Sequence, residues 1–184
     1  MAAHPADITY FWRSAGPDKW FTKSDAFDAA IRLKFEPVHH AAARGEYDRW
    51  IETAEGALAL LILLDQFPRN LWRGSGHAFA TDPLARHFAR LALDLGHDAA
   101  SDLDVRQFFY LPFTHGEDMA DQDLSLALNQ ALADELKDPD GTKWAKIHRD
   151  IIVRFGRFPH RNQALGRTTT PEEQAFLDEG GFAG

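Results

Sequence analysis

The sequence predicts an all-α protein, and three observations carry that expectation. Helix start and stop signals recur along the whole chain. Apolar residues return at three- and four-residue steps between those signals. Runs of alternating β-branched residues, the mark of strands, are nearly absent.

The elements follow in order. "PADITYFWRSA" makes a short first helix. "SDAFDAAIRLKF" is helical from Ser24, with Phe27, Ile31 and Phe35 aligned, and Pro37 is expected to end or kink it before "VHHAAARG". "TAEGALALLILLDQF", from Thr53 to Phe67, is apolar on nearly all sides, so as a helix it must be the most buried element. In "TDPLARHFARLALDLG" Asp82 suits the N-cap, Pro83 the first helical position and Gly96 a left-handed stop. Another helix starts at Ser101. A long one runs from about Glu117 to Lys137, with Leu124, Leu128, Ala131, Leu132 and Leu136 inward. Thr142 opens the next, on which Trp144, Ile147, Ile151 and Phe155 repeat with helical spacing. Thr170, Pro171, Glu172 and Glu173 begin the last, and Gly180 closes it. About eight helices in a single domain, residues 1–184, are expected, with the five tryptophans in the core.

Composition sets the outer limits. The chain has 184 residues, 45% of them hydrophobic and 26% charged, with 14 phenylalanines and 5 tryptophans. So much aromatic surface requires a folded core. A formal net charge of -8 argues against general nucleic-acid binding. The longest apolar run, "ALALLILL" at 57–64, is too short to span a bilayer. The start of the chain does not read as a secretory signal, so a cytoplasmic location is expected. With no cysteine, disulfides, thiolate chemistry and cysteine-bound metals are excluded.

Against that acidic balance, "RFGRFPHRNQALGR" (154–167) holds four arginines, one histidine and no acid. It echoes "LLDQFPRNLWRG" (63–74): a helix end, then Phe-Pro, an arginine and an asparagine, and a closing arginine and glycine. Two readings apply. Arginine and asparagine can bond the carbonyls left open at a helix end, which makes the loops architectural. Alternatively Arg69, Arg73, Arg157 and Arg161, with His160 and Asn162, converge on an anion, since the guanidinium fork suits phosphate or carboxylate. A third stretch, "PFTHGEDMADQD", places His115, Glu117, Asp118, Asp121 and Gln122 at a helix entrance, with His148 available from the next helix. Acids belong in a first helical turn for dipole reasons alone, and no metal-binding motif is matched. Asp65, Glu117 and Asp118 are the acids available to neutralise the arginines.

"LLDQFPRN", "FATDPLAR", "FFYLPFTHGED" and "RFGRFPHRNQALGRTTTPEEQAFL", in that order, resemble a bacterial family catalogued as domain of unknown function 924. The resemblance covers nearly the whole chain. It implies a tetratricopeptide-like fold of stacked antiparallel helix pairs. It brings no activity, cofactor or catalytic residue, and enzymatic activity stays open. The expected function is therefore binding of an anionic small molecule in a polar Arg/His cleft. The alternative is an interaction module whose groove takes a peptide or partner helix.

Overall fold

The run around Leu58–Leu64 offers water no polar face, so it can persist as a helix only if enclosed. The computed structural model, which describes residues 3–182, encloses it completely: every residue from Gly56 to Pro68 is buried. The described residues are all-α, with no strand among them. They gather into two compact units, residues 3–73 with 77–112, and residues 74–76 with 113–182.

In the first unit α1 (Pro5–Ala15), α2 (Pro17–Trp20) and α3 (Asp25–Ala43) precede the buried segment. That segment is α4 (Ala54–Leu61), a π-helical turn over Ile62–Gln66, and α5 (Phe67–Leu71). α6 (Asp82–Asp94) and most of α7 (Leu103–Thr114) follow. α1 and α6 pack on α4, and α3 packs on α5. Trp12 sits at the aromatic centre, 5.7 Å from Phe67 and 5.6 Å from Phe108 between ring centroids. Its carbonyl accepts the Trp20 indole N–H at 2.7 Å.

The π-helical turn has a readable cause. Pro68 has no N–H to return to the preceding carbonyls, and the backbone widens so that Phe67 N–H bonds Ile62 O. Side chains take up carbonyls of this turn: His39 Nδ1 meets Leu63 O at 2.8 Å, and the Thr81 hydroxyl donates to Leu64 O at 2.6 Å. Burial pushes the His39 pKa below its ordinary value, against the opposing pull of that carbonyl.

Two expectations in this unit need revision. Of the end or kink expected at Pro37, the end does not occur, and α3 continues to Ala43. Pro37 and Leu33 are exposed, so the hydrogen bond lost at the proline falls on the solvent face. Phe35 and His39, both buried, pin the helix on either side. Asp82 is not the N-cap of α6 but its first residue, after Thr81. Its carboxylate is committed to Arg69 instead.

The second unit contains the end of α7, α8 (Met119–Leu136), α9 (Lys143–Phe155), a 3-10 turn at Pro159–Arg161, and α10 (Pro171–Asp178). α8 and α9 pack together. α8 starts at Asp118, whose Oδ1 accepts from Ala120 N–H at 2.8 Å, and ends at Lys137 in the left-handed region (φ 55°). Its buried face is Asp121, Gln122, Ser125, Leu132 and Ala133; Ala131 and Leu136 are exposed, contrary to the expected stripe. Trp144 is likewise outside the core at 60% exposure. On α9 the enclosed face is Ala145, His148, Ile151 and Ile152. No helix among the described residues is long and apolar enough to cross a membrane.

Candidate functional site

The basic stretch forms an ordered turn built on one aromatic anchor. Gly156 ends α9 with φ 69°, and Phe158, two residues on, is fully buried. Phe155 is only partly buried, so it is a secondary anchor. Glu117 fastens the turn. Its Oε1 accepts the Phe158 N–H at 2.8 Å, and its two oxygens receive the Arg167 fork at 2.7 and 3.1 Å. Arg167 also donates to Phe158 O at 3.0 Å and to Asn162 Oδ1 at 3.0 Å. Burial by itself would raise the Glu117 pKa; the Arg167 and Phe158 hydrogen bonds outweigh it and hold the carboxyl below its usual range.

A second carboxylate closes the far side. Glu173 takes Arg157 Nε at 2.6 Å and Nη2 at 2.9 Å, and Asn162 Nδ2 at 3.1 Å. The same carboxylate accepts Thr170 N–H while Thr170 Oγ1 accepts Glu173 N–H, a complete capping box. The Arg157 hydrogen bonds are the main reason its pKa is pushed down to about 2. Arg154 pairs with Glu172 at 3.3 Å.

Within that frame stand three imidazoles and one guanidinium. Arg161 is buried, donates to His115 O at 3.1 Å and lies over the Phe158 ring at 4.5 Å. His115 and His148 rings are 6.2 Å apart, and Phe158 is 5.5 Å from His148 and 5.6 Å from His160. His148 Nδ1 meets Trp144 O at 2.8 Å; a carbonyl only accepts, so that nitrogen carries the proton. His160 differs: its Nδ1 is buried and has no hydrogen-bond partner. Burial first, then Arg161 and His148, pushes its pKa down to about 3, so the ring is neutral at pH 7. A neutral imidazole with an unsatisfied nitrogen can donate to or accept from a small polar group, and can exchange a proton with it.

The turn that carries His115 is itself fixed. Gln122 Nε2 donates to Thr114 O at 2.8 Å and Gly116 O at 2.7 Å. Gly116 is required by close approach rather than by a left-handed backbone, because a Cβ there would lie 2.9 Å from Asp121 Oδ2. With Glu117 held by Arg167 and Asp118 spent as a cap, this acidic stretch is largely architectural. Among the described residues no group of three or more His, Asp or Glu side chains is arranged to hold a metal ion.

Thus His115, Glu117, His148, Arg157, His160, Arg161 and Asn162 all join one network in the second unit. Arg69 and Arg73 belong to a different network, in the first. Arg69 forks onto Asp82 at 2.9 and 3.1 Å and lies 3.3 Å from Asp65. Burial opposes its charge, but Asp65 and Asp82 outweigh that and keep its pKa raised. Arg73 forks onto Asp28 at 2.6 and 3.0 Å, and Asn70 joins at 2.8 Å. Asp28, Asp82, Glu173 and Arg167 are the partners sequence reasoning missed. The Thr170-x-x-Glu173 spacing signals the capping box, but nothing local signals that Glu173 also holds Arg157.

Fold and site define a helical protein whose arginine-rich turn is locked by two carboxylates and presents a neutral histidine beside a guanidinium. The profile of the family described as bacterial protein of unknown function (DUF924) matches residues 8–181, and the chain belongs to that family. It is also similar to the solved structure of a protein of unknown function from Agrobacterium tumefaciens. That chain is 55% identical; the match covers 95% of this chain and 97% of that one, with a TM-score of 0.90. No curated protein matches the sequence.

Proposed function

We propose that the protein binds an anionic small molecule in its second unit, with His160 as the primary polar contact and Arg161 beside it, and that it works in the cytoplasm. The observation that carries this reading is the buried, unpartnered Nδ1 of His160. A buried polar atom without a partner costs about 1–3 kcal/mol, and a ligand that supplies the missing hydrogen bond recovers that cost. Arg154, Arg157 and Arg167 are already paired with Glu172, Glu173 and Glu117, and the buried Arg161 guanidinium beside His160 is a positive charge that favours a negative partner. Arg157 and Arg167 shape the site through Glu173 and Glu117 rather than gripping the ligand. A thermal-shift series with inorganic phosphate, citrate and small carboxylates tests it. At about a hundredfold excess over Kd the ligand stabilises by ~2.7 kcal/mol, and His160→Gln should abolish the response. An equal response in native and His160→Gln protein would sink the reading.

A second reading, a groove for a peptide or partner helix, is favoured by a shallow hollow on α3. It is lined by Arg32, Leu33, Glu36, Pro37, His40 and Arg44, with Leu33 84% exposed. There, Leu33→Asp should abolish partner binding and leave the phosphate response untouched.

A further inference from the structure

The cluster of His148, His160 and Phe158 already holds a ring, and the ring is the chain's own. α10 stops at Asp178, and Gly180 takes φ 82°. Gly181 N–H then bonds Phe176 O at 2.9 Å. A Cβ on Gly181 would lie 2.5 Å from that oxygen and 2.6 Å from the Phe176 ring, so only glycine lets the chain return here. The return lays Phe182 against α9 and the His160 turn. Its centroid is 4.6 Å from His148 and 5.3 Å from His160, edge-on to both at 60° and 82°, and 6.3 Å from Trp144.

The walls around Phe182 do not depend on it. His148 is fixed by Trp144 O, Phe158 by Glu117, and the turn by Glu117 and Glu173. If Phe182 swings out on its two glycines, what remains is a flat slot between imidazoles, with the bare Nδ1 of His160 and the Arg161 guanidinium close by. Edge-to-face contact with a ring is what such walls favour, and the guanidinium suits a carboxylate.

We infer that this slot takes an aromatic carboxylate, the ligand ring replacing that of Phe182 and its carboxylate meeting His160 and Arg161, and that Phe182 is the lid. The inference rests on the anion-binding reading and narrows it to one class of ligand. A lid that occupies the slot lowers apparent affinity by the fraction of time it is closed.

Calorimetric titrations with phenylacetate, acetate, cyclohexanecarboxylate and inorganic phosphate test it on native protein, Phe182→Ala and Phe182→Ala/His160→Gln. Phe182→Ala should bind phenylacetate about tenfold more tightly than native protein does, as expected when one ring-on-ring lid contact is removed. Acetate and cyclohexanecarboxylate should bind more weakly than phenylacetate, and the double variant should lose the gain. Without any ligand, the His160 NMR titration in Phe182→Ala should move up from about 3 as the ring's burial is relieved. Phe182→Leu, which keeps apolar bulk but no ring, replaces the alanine if that variant unfolds, with the same direction expected for phenylacetate. Phosphate binding through His160 with no gain for phenylacetate on opening the lid overturns the aromatic lid and leaves the anion site standing. If none of these anions binds native protein or Phe182→Ala, both readings fall.

Discussion

Mild acid should destabilise the protein through His160, well before the carboxylates titrate. The folded state holds this imidazole neutral down to about pH 3, against an ordinary value of 6.5. Burial is the main cause; Arg161, His148 and His115 reinforce it, and only Glu117 opposes it. Below about pH 6.5 the unfolded chain therefore binds a proton that the folded chain refuses. Stability is complete above that value and falls steadily as pH drops toward 3. At pH 5 the interval covered is roughly 1.5 pH units, which at ~1.36 kcal/mol per unit is about 2 kcal/mol. For a chain of this length that is a fall in Tm of about 4–8 °C. The assay is urea unfolding of native protein and His160→Gln at pH 7.5, 6 and 5. His39 moves in the same direction, so the quantity to read is the difference in pH slope between the two proteins. Glutamine at 160 cannot take the proton, and its slope should be shallower by that amount. Identical slopes, or a His160 imidazole that titrates near 6.5 by NMR, would refute the burial argument and with it the neutral-histidine site.

Leu61 is fully enclosed in α4, and Leu61→Ala should cost about 2–5 kcal/mol in urea unfolding. Asp82→Ala leaves the half-buried Arg69 with Asp65 as its remaining acid and should cost ~2 kcal/mol, whereas Asp104→Ala, at the exposed Arg13 pair, should stay within about 0.5 kcal/mol. Glu173 is held down to about 2 against a usual 4.5, so the stability it contributes is complete above pH 4.5 and is lost as pH falls toward 2. Glu173→Gln should lower Tm at neutral pH and remove that part of the acid transition, which an acid titration followed by circular dichroism would show.

What the sequence disclosed and what it hid divide along one physical line, the range of the interaction involved. The stops at Gly96 and Gly180 and the box at Thr170–Glu173 depend on residues within a helical turn of one another, and they are legible for that reason. The enclosure of the run from Gly56 to Phe67 is nearly as local, since no face of that segment could tolerate water. Errors begin where a second element chooses the outcome. Trp144 and Ala131 fit a helical stripe, but the enclosed faces of α9 and α8 lie to one side of the ones periodicity suggested. Pro37 carries a strong local stop signal, and buried neighbours on each side override it. Asp82 has the chemistry of a cap and is drawn instead to Arg69. The charge partners were the least legible: Asp28 and Arg73 lie 45 positions apart, and Glu117 and Arg167 lie 50 apart. No spacing rule reaches that far. The two Phe-Pro segments show the consequence. The first has Asp65 as its only local acid and the second has none, and each draws further carboxylates from elsewhere in its own unit: Asp28 and Asp82 in the first, Glu117 and Glu173 in the second. The likeness is one of composition and not of position: Phe67-Pro68 lies inside the continuous helical segment from Ala54 to Leu71, whereas Phe158-Pro159 follows the end of α9 at Phe155. His160, which only the second segment carries, is the feature that neither the ion pairs nor the aromatic anchor explains.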